Sequence, residues 1–125
     1  MLDNITMEPT HNKPKVSFNK QGSLLLEGRS FCESPDQLYK PLVMWCSLID
    51  LTSVTLEVKL DYINTSSTKC LHDVLEALDK NEAIRALEVK WYCEEDDDEM
   101  YDLGRIFSSD CPKATFNFYE TEETV

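Results

Sequence analysis

From Val54 to Tyr62 apolar and polar residues alternate without a break, with Val54, Leu56, Val58, Leu60 and Tyr62 set against Thr55, Glu57, Lys59 and Asp61. A period of two puts one set on each face of a β-strand, so this run has one apolar and one polar face. Just past Ile63 and Asn64 the period changes. Leu71, Val74, Leu75 and Leu78 recur at helical spacing opposite Asp73, Glu76, Asp79 and Lys80, which predicts an amphipathic helix from about Ser66 to about Asn81. Residues 87–93 then alternate again. Strand and helix in strict alternation imply right-handed crossovers and a largely parallel sheet.

The remaining segments fit that frame. Residues 15–18 and 23–27 flank an Asn19-Lys20-Gln21-Gly22 turn and read as a β-hairpin. Ser34-Pro35-Asp36 opens a helix whose stripe is Leu38, Leu42, Trp45 and Ile49, widened by Val43 and Cys46. A short helix holds Met100, Leu103, Ile106 and Phe107, and a last strand covers residues 114–119. The expectation is a single α/β domain: an N-terminal hairpin, then alternating helices and strands on a mostly parallel sheet of about five strands. Residues 1–13, with Pro9, read as a flexible arm, 14–119 as the domain, and 120–125 as an acidic tail.

A chain of 125 residues is long enough for one core without disulfides. The five cysteines, Cys32, Cys46, Cys70, Cys93 and Cys111, have no CxxC spacing and mostly fall in apolar segments, which suits buried reduced thiols. A net charge of -12 disfavours nucleic acid and anionic membrane surfaces and favours basic partners. The sequence shows no signal peptide and no apolar run of membrane-spanning length, so a cytoplasmic protein is expected.

Strand-to-helix loops gather at the carboxyl edge of a parallel sheet, where ligands and partners bind. Three segments should meet there: Gly28 to Ser34, Asn64 to Thr68, and the acidic run Glu94, Glu95, Asp96, Asp97, Asp98 and Glu99. The second carries the chemistry. Thr65, Ser66, Ser67 and Thr68 supply more hydroxyls than one helix cap needs, at a helix start whose N–H groups and dipole favour an anion. If Ser66 were the cap, Lys69 would stand where a capping-box acid belongs, and a cation in the first turn suits a bound or covalent phosphate. These residues imply a phospho-regulated switch without choosing among the four hydroxyls, with Arg29 and Lys69 as counter-charges and the acidic run strengthening the field on the same edge. No cofactor and no metal site is expected. The acids at 94–99 are contiguous and lack the glycine of a calcium loop, and His11 and His72 form no ligand pair.

Four motifs together resemble the SiaC family of bacterial regulatory phosphoproteins. They are Gly28-Arg29-Ser30-Phe31, Tyr39-Lys40-Pro41-Leu42 with Trp45, Tyr62-Ile63-Asn64-Thr65-Ser66-Ser67-Thr68-Lys69, and Trp91-Tyr92-Cys93-Glu94-Glu95-Asp96-Asp97. The resemblance implies a fold like the STAS-type anti-sigma-factor antagonists and a partner-switching role. A histidine-kinase-like serine/threonine kinase would phosphorylate a threonine, a metal-dependent serine/threonine phosphatase would remove the phosphate, and the unphosphorylated form would bind and activate a diguanylate cyclase, in cyclic di-GMP and biofilm control. Matched residue by residue, the phosphorylated threonine falls on Thr65. Asn64, Ser66, Ser67, Thr68, Lys69, Arg29, Glu94, Glu95, Asp96 and Asp97 then form the phosphate environment and partner surface. The chain departs from the family pattern at Phe31, Cys32 and Ser34. Two other functions compete with this non-enzymatic adaptor: a constitutive acidic docking module in which Thr65 is only a cap, and a small metal-dependent enzyme built on the run at 94–99.

Overall fold

The computed structural model describes residues 2–121. Its elements run β1 (Ile5–Met7), β2 (Lys15–Phe18), β3 (Ser23–Ser30), α1 (Pro35–Leu48), β4 (Ser53–Ile63), α2 (Thr65–Lys80), β5 (Ala86–Glu94), α3 (Asp98–Asp110) and β6 (Ala114–Thr121). The six strands lie in the sheet in chain order. The first three are antiparallel neighbours and β3 to β6 are parallel. The alternation read in the sequence therefore builds an α/β sheet in which each parallel pair is joined by a helix.

The residues of β4 that face the helices, Val54, Leu56, Val58 and Leu60, are buried, while Thr55, Glu57 and Lys59 are half-buried on the other face. The helices thus cover one face, closing a core of Leu24, Leu26, Leu42, Leu56, Leu71, Leu75, Leu78, Val89 and Trp91. The opposite face is polar and laddered: Glu57 pairs with Lys59 at 3.3 Å, the Lys59 ammonium lies 4.8 Å from the Tyr92 ring, and Tyr92 stacks on Tyr119 at 5.0 Å.

The sixth strand comes from the segment expected as a loose arm. Ile5, Thr6 and Met7 pair with Phe18, Ser17 and Val16, and the flanking backbone is pinned by Trp45 Nε1 donating to Asp3 O at 2.8 Å. Three residues are too few for a period-2 signal, and this strand is held by long-range partners that sequence spacing does not show. Of the tail expected at 120–125, Glu120 and Thr121 finish β6 and the rest lies outside the described residues. All five cysteines are free and buried, as their settings predict. No described helix is long and apolar enough to cross a membrane.

Two local departures matter for the site. Gly28 has a φ of +111° and marks a shift in the β3/β4 register, where Gly28 pairs with Leu60 but Arg29 pairs with Tyr62. One extra residue in β4 turns its last residues over, so Tyr62, which the alternation places on the apolar face, is 48% exposed. In α3 the buried seam is Met100, Gly104 and Phe107, and Ile106 points to solvent.

Candidate functional site

Because β3, β4 and β5 are parallel, the segments that follow them leave the sheet at one edge. There β4 passes into α2 through a single residue, Asn64, which is the cap: its Oδ1 accepts from Ser67 N at 2.9 Å. The helix therefore begins at Thr65, one residue before the expected start near Ser66, and its cap is an asparagine, which ranks among the best capping residues. Asn64 also fixes the cap to the neighbouring crossover. Its backbone N–H donates to Ser30 O at 2.9 Å and its Nδ2 to Cys32 O at 3.3 Å. Below this junction the buried Ser30 hydroxyl and Tyr39 hydroxyl share a 2.8 Å hydrogen bond, and burial raises the Tyr39 phenol to about 12.

The four hydroxyls fall into different settings. Ser67 is fully buried, with no hydrogen-bond partner for its Oγ among the described residues, and the Thr68 Oγ1 donates back to Asn64 O at 2.9 Å. Thr65 and Ser66 are exposed and make no side-chain hydrogen bond among the described residues. The first turn carries no acidic side chain, so the positive end of a 16-residue helix stands open beside Thr65. Lys69, four residues on, lies on the same helical face as Thr65 and is exposed.

Arg29 reaches the same edge from β3. Its guanidinium lies 5.1 Å from the Phe31 ring, which meets Tyr62 edge-on at 5.8 Å. The Phe31/Tyr62 aromatic pair beside that cation is the part of the edge that sequence reasoning missed. Phe31 reads as a loop residue and Tyr62 as an apolar-face strand residue until the β4 bulge turns Tyr62 outward. Asn12 adds a support that was also missed, accepting from Phe31 N at 3.1 Å.

The acidic run occupies the next crossover, and much of it serves α3. Asp97 caps the helix by accepting from Met100 N at 3.1 Å, and Asp98 and Glu99 fill the first turn, where the dipole favours carboxylates. Glu94 ends β5, while Glu95 and Asp96 are exposed in the turn. Glu94, Glu95, Asp97 and Glu120, with Tyr101, Phe118 and Tyr119, line a cavity of about 350 Å³. The structure thus sets Asn64, Thr65 and Lys69 at one strand-to-helix junction, Arg29 on the neighbouring strand beside Tyr62, and the acids on the adjoining junction.

Comparison with known proteins follows the same outline. The family model described as SiaC family regulatory phosphoprotein matches residues 7–121. An uncharacterised protein of Pseudomonas aeruginosa (strain UCBPP-PA14) is 25% identical over 115 residues, 88% of this chain and 91% of the relative. The crystal structure of apo-SiaC from P. aeruginosa superposes with a TM-score of 0.84 at 23% identity, covering 96% of this chain and all of the other. A chain from the P. aeruginosa complex of the diguanylate cyclase SiaD with its activator SiaC superposes with a TM-score of 0.80 at 22% identity, covering 92% and 99%.

Proposed function

The chain belongs to the SiaC family of regulatory phosphoproteins, and from that membership we propose that it is a non-enzymatic signalling adaptor whose affinity for a protein partner is set by phosphorylation of Thr65. The observation that carries the reading is the contrast within the hydroxyl cluster: Asn64 takes the cap, Ser67 is buried, Thr68 is bonded to the backbone, and Thr65 is left exposed at the first position of α2. Ser66 is exposed as well, and the resemblance of the Tyr62–Lys69 motif to the family, taken residue by residue, is the reason for choosing Thr65 over it.

A phosphoryl group on Thr65 would bring about -1.5 to -2 charges to the positive end of α2, within one turn of Lys69, so the modified form needs no rearrangement of the cap. The effect is then local: a doubly charged group with a hydration shell stands where a partner would otherwise meet Thr65, Arg29 and the Phe31/Tyr62 pair. The partner that best fits is a diguanylate cyclase, by analogy with the P. aeruginosa complex of SiaD and its activator SiaC. A histidine-kinase-like serine/threonine kinase and a metal-dependent phosphatase would complete the circuit.

Mass spectrometry of the protein from its native cells, with phosphatases inhibited, should find a phosphate on Thr65. In calorimetric titration with the cyclase, Thr65→Ala should bind as the unmodified protein does, and Thr65→Asp should bind at least tenfold more weakly. No phosphate under several growth conditions, together with equal binding by both variants, would return Thr65 to an ordinary helix residue and the protein to a constitutive docking module.

A further inference from the structure

The function proposed above makes no use of His72, a half-buried histidine about two turns into α2. Its Nε2 lies 3.1 Å from Asp110 Oδ2, at the end of α3. A carboxylate only accepts, so this contact places the proton on Nε2 and leaves the Nδ1 lone pair facing the other way. On that side is Glu76 Oε2, at 3.8 Å. The gap is too long for a hydrogen bond. It is close to the roughly 3.4 Å that separates two donors on one tetrahedral zinc with bonds of about 2.0–2.1 Å. The other oxygen of Glu76 is held by Lys80 Nζ at 2.6 Å, which orients the carboxylate and leaves Oε2 free to ligate. Asp73 supplies a third oxygen, and donor atoms of His72, Asp73 and Glu76 all lie within 4.8 Å of one another.

From this arrangement we propose that His72 Nδ1 and the carboxylates of Asp73 and Glu76 form a binding site for a divalent transition-metal ion of the zinc class, with Asp110 as the outer partner that fixes the imidazole. Spacings of one, three and four residues put all three ligands on one side of a helix turn. The imidazole selects against magnesium and calcium, which prefer oxygen alone. Carboxylate, imidazole and metal in line is the recurring second-sphere pattern of protein zinc sites. Asp73 and Glu76 also line the groove of about 480 Å³ between α1 and α2, so the fourth position of the ion opens to solvent and to whatever occupies that groove. The site is independent of Thr65 phosphorylation.

Titrating the untagged, reduced full chain with cobalt(II) and recording its visible absorption tests the site, with zinc competition as a second readout. A single ion should bind with a tetrahedral or five-coordinate d–d spectrum. That signal should vanish in His72→Ala, fall at least tenfold in affinity in Glu76→Gln, and fall ten- to a hundredfold in Asp110→Ala. His11→Ala, which changes the other histidine, should bind as wild type. Circular dichroism of each variant separates lost ligation from lost fold, since His72, Glu76 and Asp110 stand at or near the surface. No binding at millimolar cobalt, wild-type binding by folded His72→Ala, or a thiolate charge-transfer band that places the ion on a cysteine would each overturn the proposal.

Discussion

Asn64 and Thr65 are neighbours with opposite duties, and stability measurements can tell them apart. Asn64→Ala removes the bond to Ser67 N and the tie to Cys32 O, and should lower unfolding free energy by about 1–2 kcal/mol in urea titrations. Thr65→Ala removes an exposed hydroxyl with no hydrogen bond at a position where alanine is the better helix former, and should leave stability within about 0.5 kcal/mol. The reverse order would make Thr65 the cap. Asn81 is the corresponding staple at the other end of α2. Its Nδ2 donates to Cys46 O at 2.9 Å and Ile49 O at 2.8 Å, closing the end of α1. Asn81→Ala should therefore cost about 2 kcal/mol or more, through carbonyls left without a donor. At this scale the sequence marked the hydroxyl cluster but not its division of labour. Which of Asn64, Thr65 and Ser66 caps depends on the last dihedrals of β4, and these follow from the bulge opposite Gly28, which no local pattern announces. His72 was legible only as a polar helix residue because its decisive neighbour, Asp110, is 38 positions away.

Among the elements, α3 shows how a helix reads weakly in sequence yet packs closely. Its apolar residues suggested a stripe through Leu103 and Ile106, but the face against the sheet is centred on Gly104. A Cβ built there would come within 2.7 Å of Trp91 and Phe118 side-chain atoms. Glycine costs a helix about 1 kcal/mol relative to alanine, and here the loss permits close approach to a fully buried tryptophan whose Nε1 donates to Met100 O at 2.9 Å. Gly104→Ala should therefore destabilise by about 1–2 kcal/mol despite its better propensity, because overpacking outweighs the helix gain. A rise in the thermal midpoint would show that α3 can slide outward at little cost. The long alternating strands and α2 were legible because their periods persist over two or more turns of pattern. The edge strand β1 was not, since three residues bordered by polar neighbours acquire their structure only from β2 and Trp45.

For the whole molecule, the buried thiols and one buried phenol set a limit at high pH. Burial raises Cys70 and Cys111 from an ordinary 9.0 to about 11, raises Cys46 further, and raises Tyr39 from 10.0 to about 12. Nearby carboxylates, Asp36 beside Cys70 and Asp79 beside Cys111, push the same way. Each group keeps its proton in the folded chain after the unfolded chain has lost it. Between the ordinary and the raised values the folded state binds more protons, so stability falls as pH rises. This contribution is complete below the unfolded thiol value and is lost as pH climbs through the folded ones. The net charge of -12 adds self-repulsion that deepens with each further ionisation. In reducing buffer the thermal midpoint should hold steady from neutral pH until the ordinary thiol range, then drop steeply through the window that Cys70 and Cys111 define. Cys46→Ala should lower the midpoint at neutral pH by removing a buried sulfur, yet make the alkaline decline shallower, because its thiol no longer resists ionisation. A decline of the same slope in both proteins would remove Cys46 from the alkaline limit and leave it to Cys70, Cys111, Tyr39 and surface charge.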